Sequence, residues 1–129
     1  DPHVDGLIVS MTNKEDIDEY VDASGGVGRT ESGINLLERY MSLNGANYCR
    51  HGCNICADVC PKGVEIAEVL RTRMYDVDYR NRNLAQTDYA ALGVGASACA
   101  DCDSQPCRNS CPAGIPISEW TRDAAARFG

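Results

Sequence analysis

The sequence predicts a mainly α fold preceded by a short strand–helix–helix lead. Three observations predict it. Apolar residues recur at helical spacing in five separate stretches. Glycine, asparagine and proline stop those stretches at regular intervals. Eight cysteines fall into two groups of four, which break the helical pattern into loops at 49–60 and 99–111.

The elements follow in order. Leu7, Ile8, Val9 and Met11 read as a short buried strand, the one segment with that character. Asn13 is expected to cap a helix whose first turn carries Glu15 and Asp16, where acids suit the helix dipole. Ile17, Tyr20 and Val21 continue it to about Ala23, and Ser24-Gly25-Gly26 stops it. Gly25-Gly26-Val27-Gly28 has no Gly-Lys-Ser/Thr ending and reads as a linker, not a phosphate loop. A second helix is expected from about Ser32 to Leu43, with Ile34, Leu37, Tyr40 and Met41 on one side. Val64 to Val77 forms a third, with an apolar stripe of Ile66, Val69, Leu70, Met74 and Val77. Asn83 to Leu92 is a fourth, stopped by Gly93 and Gly95. Ser118 is expected to cap a last helix through about Arg127. The chain divides accordingly into a lead at 1–46 and a cysteine-bearing domain at 47–129.

Composition narrows the function. The 129 residues are 43% hydrophobic but only 6% aromatic, with one Trp and one Phe. A core of that kind is thin and calls for covalent or metal staples. The formal charge is −7, which argues against nucleic-acid and anionic-membrane partners. No apolar run is long enough to span a membrane, and no signal peptide is visible. A first residue other than Met fits a processed or excised piece. Residues 1–48 hold nine acids against three bases; residues 49–129 hold ten against nine. The bases of the second part, among them Arg50, Lys62, Arg71, Arg73, Arg80, Arg82 and Arg108, either offset a bound anionic centre or form ordinary solvated faces.

The cysteines carry the chemistry. Cys49, Cys53, Cys56 and Cys60 precede Pro61, and Cys99, Cys102, Cys107 and Cys111 precede Pro112. Gaps of two and three residues let successive cysteines wrap one centre, and the proline turns the chain away from it. Each run is followed by a glycine (Gly63, Gly114), an apolar pair and a helix, an internal repeat of about 50 residues. Four disulfides are an alternative, as are two four-cysteine zinc sites or [2Fe–2S] centres. Cysteine is about 6% of the chain, below the level of a disulfide scaffold, and zinc knuckles place a long gap between cysteine pairs. His51, inside the first run, reads as a loop residue, and His3 carries no signal. No catalytic triad or paired-carboxylate constellation stands out.

Both runs resemble the C-x2-C-x2-C-x3-C-P run of bacterial two-cluster ferredoxins, in which four thiolates hold a [4Fe–4S] cluster. The resemblance implies two [4Fe–4S] clusters. It also implies that the fourth Cys of each run serves the other cluster. Cluster I would then take Cys49, Cys53, Cys56 and Cys111. Cluster II would take Cys99, Cys102, Cys107 and Cys60. Most of the chain further resembles the C-terminal ferredoxin-like extension of iron–sulfur aldo/keto reductases. The residues that carry this are Cys60-Pro61-Lys62-Gly63-Val64-Glu65-Ile66, Cys111-Pro112-Ala113-Gly114-Ile115-Pro116-Ile117, and Tyr75, Ala85, Tyr89 and Leu92 between them. In the lead, the segment from Asp1 to Met11 and Asp18-Glu19-Tyr20-Val21-Asp22-Ala23-Ser24 is similar to the last strand and helix of that family's barrel. The implied fold is an α-helical ferredoxin-like dicluster domain.

The implied function is electron transfer through the two clusters to a redox partner protein or cofactor, with no catalytic residues in this chain. One alternative is the electron-relay part of an aldo/keto-reductase-type oxidoreductase whose catalytic barrel lies elsewhere. Another is a self-associating building block, joined through the Leu7–Met11 edge. The default compartment is the cytoplasm of an anaerobe.

Overall fold

The computed structural model describes residues 5–26, 28–50 and 52–129. His3 and His51 lie outside them, as does Val27 of the glycine-rich linker. Helix accounts for 56% of the structure, and no strand is present among the described residues. The α-helices there are α1 (Glu15–Ser24), α2 (Glu31–Asn44), α3 (Ile55–Asp58), α4 (Ile66–Val77), α5 (Arg82–Ala90) and α6 (Ile117–Phe128). Two 3-10 turns, Ala96–Cys99 and Pro106–Asn109, shape the second cysteine run. The chain forms two compact units, Asp1–Leu37 and Glu38–Gly129, so the division falls inside α2.

In the first unit the expected strand does not form. Leu7 is 83% exposed and Ile8 fully so. A strand exists only by hydrogen bonding to a neighbour, and no described segment supplies a ladder. Leu7, Val9 and Met11 instead line an open groove with Tyr20 and Val21 of α1. Asn13 is not the cap of α1 either. Lys14 occupies that position with helical backbone angles. The Asp16 carboxylate accepts from Thr12 N and Asn13 N, both at 3.1 Å, and satisfies the entering N–H groups from inside the helix. Those backbone bonds, Asn13's first, hold the Asp16 carboxyl below its ordinary value. At the start of α2 the Thr30 hydroxyl accepts from Gly33 N at 3.1 Å. Neither α1 nor α2 buries a side chain.

The second unit has the core. Val64, Ile66, Val69, Leu70, Tyr89, Ala96, Ile115, Ile117 and Ala124 are buried together. Helix α4 packs against both α5 and α6. Fully burying each large aliphatic there contributes about 1.5–3 kcal/mol. Thr72 and Thr121 are buried polar residues on α4 and α6. Their hydroxyls donate to Val69 O and Ser118 O, so neither is left unpaired. Arg80, at φ 56°, turns the chain into α5, and Asn81 caps that helix by accepting from Leu84 N at 3.2 Å.

Two sets of polar contacts, from Glu65 and from Tyr89, fix the segment that leads into the second cysteine run. The Glu65 carboxylate accepts from Gly93 N at 2.7 Å and Val94 N at 3.0 Å, while Glu65 N donates to Val94 O. A Cβ at position 93 would stand 2.8 Å from that carboxylate, so glycine permits the approach. The Tyr89 hydroxyl accepts from the buried Ala96 N at 2.8 Å, and its ring packs on Phe128. Asp76 and Asp123 are bridged by Arg127, with Arg73 on Asp123 and Arg82 on Asp76. Arg73 also lies over the Trp120 ring. This network joins α4 to α6.

Candidate metal centre

The two halves of the second unit repeat with a constant offset of 51 residues, Cys60 matching Cys111. Asn54 and Gln105 both take left-handed backbone angles, φ 51° and 37°. Each is followed by a short helical turn that carries the third cysteine of its run, Cys56 or Cys107. Cys60 O accepts from Gly63 N, and Cys111 O from Gly114 N. Both glycines have positive φ, 63° and 73°. That conformation is one glycine adopts freely, and here it turns the chain after Cys-Pro into the next helix. Val64 and Ile115 follow, both buried, then α4 and α6. The x3 and x4 gaps that distinguish the two runs lie upstream of this shared part.

Packing of α4 against α6 places the cysteines around two hollows. One is lined by Cys49, Cys53, Cys56 and Cys111. The other is lined by Cys60, Cys99, Cys102 and Cys107. Their volumes, counting space open to solvent, are about 420 and 380 Å³. Each hollow therefore receives three thiols from one run and the fourth thiol of the other. All eight cysteines are free, so no disulfide links them. Cys53 is exposed and the other seven are half-buried.

No family model, curated protein or solved structure matches the chain.

The electrostatics of the thiols follow from their crowding. Burial first, and then the neighbouring Cys49 and Cys111, push the Cys56 thiol up to about 11. Cys49 is raised by burial, then by Cys111 and Cys53. Cys107 is raised by burial, then by Cys99 and Cys60. Four thiols this close cannot all ionise unaided, and a positive centre among them reverses that balance.

The donor set suits a sulfur-bound cluster. Only thiols offer soft ligands in either hollow, and no carboxylate or imidazole is among the described lining residues. Among the described residues no three His, Cys, Asp or Glu side chains converge on one metal ion. A four-iron cluster does not require such convergence, because each thiolate binds a different iron and the sulfurs surround a volume. A mononuclear zinc site does require it.

Of the bases weighed as charge compensation, Arg50 and Lys62 line the hollows. Arg71, Arg73 and Arg82 are committed to Glu68, Asp123 and Asp76. Four lining residues were not read from the sequence as part of a site: Ala67 and Thr121 carried no signal, Leu70 read as core and Ser118 as a cap. Aligning the repeats at the 51-residue offset pairs Ala67 with Ser118 and Leu70 with Thr121, and would have singled them out. Ser118 does not cap α6; the helix begins after Pro116, without a side-chain cap.

Proposed function

We propose that the chain is an electron-transfer domain of α-helical ferredoxin type, with one [4Fe–4S] cluster in each hollow. The observation that carries this reading is the pair of four-thiol hollows, each completed by the fourth cysteine of the opposite run. Cys49, Cys53, Cys56 and Cys111 would hold one cluster. Cys99, Cys102, Cys107 and Cys60 would hold the other. When bound, each cluster accepts and gives up single electrons. The protein excludes water with Val64, Ile66, Ile115 and Ile117 and sets the charge around the sulfurs. The half-exposed cysteine loops leave a short route to a redox partner protein or cofactor. A second reading, the electron-relay part of an aldo/keto-reductase-type oxidoreductase, draws support from α1 and α2. Their apolar sides are uncovered, as the sides of a segment that docks on a larger body would be.

Iron and acid-labile sulfide analysis of anaerobically prepared protein tests the proposal. About eight of each are expected. Bound zinc without sulfide overturns it. Cys60→Ser is expected to alter the electron paramagnetic resonance (EPR) signal of the cluster held by Cys99, Cys102 and Cys107. A change confined to the other signal would refute the crossed ligation.

A further inference from the structure

The spacing inside each run decides where its second cysteine falls in the repeat. Cys56 and Cys107 match at the offset of 51 residues. Cys53 precedes the first by three positions, and Cys102 precedes the second by five. Cys53 therefore sits directly before the left-handed residue Asn54, whereas Cys102 lies three positions before Gln105. In the second run the position that matches Cys53 is held by Ser104.

The two second cysteines differ in cover. Cys53 is exposed, alone among the eight, and Cys102 is half-buried. Gly52 precedes Cys53 at φ 80° and Asn54 follows it at φ 51°, so the backbone is left-handed on both sides of the ligand. The loop there stands clear of other groups: a Cβ on Gly52 would meet nothing within 4 Å. In the second run the Ser104 hydroxyl lies against the Cys102 sulfur at 3.9 Å. Cys49, Cys56 and Cys111, the other thiols of the first hollow, are half-buried. So are Cys60, Cys99 and Cys107 of the second.

The shell around a metal centre controls which solutes reach it, and the shell is thinnest at Cys53. Resting on the two-cluster reading, we infer that Cys53 holds the exchangeable iron of the chain, which makes the first hollow an oxidant-gated site for a divalent metal ion. A one-electron oxidant such as hexacyanoferrate(III) takes one electron from the [4Fe–4S]2+ core and becomes hexacyanoferrate(II). The bonds of one iron then break, one to the Cys53 sulfur and three to sulfide. Iron(II) leaves and [3Fe–4S]+ remains, so charge is conserved. The freed Cys53 thiolate takes a proton from water. Cys49, Cys56 and Cys111 keep the other three irons. One electron returned to the opened core lets iron(II), or another divalent ion of similar size, enter the vacant corner and bind Cys53 again with loss of that proton.

The test uses the full chain, anaerobically reconstituted, with iron and sulfide counted first; about eight of each are required. The protein is treated with hexacyanoferrate(III), freed of it, and alkylated with iodoacetamide. One [3Fe–4S] EPR signal per chain is expected, with one iron lost. Peptide mapping by mass spectrometry is expected to find the label on Cys53 at about tenfold or more the level on any other cysteine, since thiol reactivity follows exposure. In an unalkylated sample, dithionite and iron(II) are expected to remove the signal and restore the iron count. Cys53→Ala is expected to carry the [3Fe–4S] signal before any oxidation and to gain no second one under the same treatment. A chain that lacks eight iron and eight sulfide removes the parent reading. An eight-iron chain that opens both clusters alike, or that takes the label on Cys102, overturns the assignment to Cys53 alone.

Discussion

The two units use the same local rules and reach different ends. In Asp1–Leu37, α1 carries Ile17, Tyr20 and Val21 at helical spacing, yet buries none of them. In Glu38–Gly129, α4 carries Ile66, Val69 and Leu70 at the same spacing, and all three are buried. Both helices are amphipathic, with acids in the first turn. The difference lies in what closes the structure around them. The second unit has two cysteine runs, two glycine turns and an Arg–Asp network that brings α4 against α6. The first has none of these among its described residues. Amphipathicity makes a helix able to bury a face, and long-range closure decides whether it does.

Removing the proposed clusters should break the contrast most completely. Apo-protein is expected to lose slow amide exchange throughout α4, α5 and α6, because ligand binding and folding are one free energy when the core is thin. Exchange in α1 is expected to stay as it was. Residue-resolved hydrogen exchange with and without iron measures both; full protection of α4 in the apo form would contradict the idea.

Next in size is the core itself. Ile117→Ala is expected to cost about 2–5 kcal/mol by chemical denaturation, since its side chain is almost wholly buried. Tyr89→Phe removes the acceptor of the buried Ala96 N–H and is expected to cost about 1–3 kcal/mol. It should also loosen the second cysteine run before the first, visible as faster loss of the corresponding EPR signal on oxygen exposure. An effect shared equally by both signals would show that the contact is not local.

The smallest effect sharpens the comparison from the other side. Leu36, on α2 within the first unit, is 67% exposed. Leu36→Ala is expected to change stability by no more than about 0.5 kcal/mol. A loss of several kcal/mol, growing with protein concentration, would instead reveal that the lead is covered by a second molecule.

Acid should act on the α4–α6 network in a defined window. Burial works to raise the Asp123 carboxyl, but hydrogen bonds and charge from Arg127 and Arg73 outweigh it and hold the group below 3.8. Its contribution is therefore complete above that pH and is lost as pH falls through the lowered value. The pairs are partly solvated, so each contributes only about 0.2–1 kcal/mol.

What the sequence determined by itself is what short range controls. Helical spacing placed α2, α4, α5 and α6 to within a few residues, because a helix is built from contacts three and four positions apart. The grouping of cysteines, the prolines after Cys60 and Cys111 and the glycines at 63 and 114 were equally plain, because loop chemistry is written in consecutive residues. The Leu7–Val9 strand failed because a strand is completed by a distant partner, which a local pattern cannot guarantee. Asn13 is not the cap because the helix is entered through Lys14, and the Asp16 carboxylate reaches back to hold Thr12 N and Asn13 N instead. The left-handed turns at Asn54 and Gln105 left little trace, as Asn tolerates the conformation without requiring it and Gln has no particular preference for it. The grouping of the thiols was implied only by the resemblance, not by local spacing, and the tertiary structure alone decided that Leu70 lines one hollow while Thr121 lines the other. Those facts depend on how α4 packs on α6, and a helix crossing is set by side chains about fifty residues apart in the chain, beyond the reach of any local spacing.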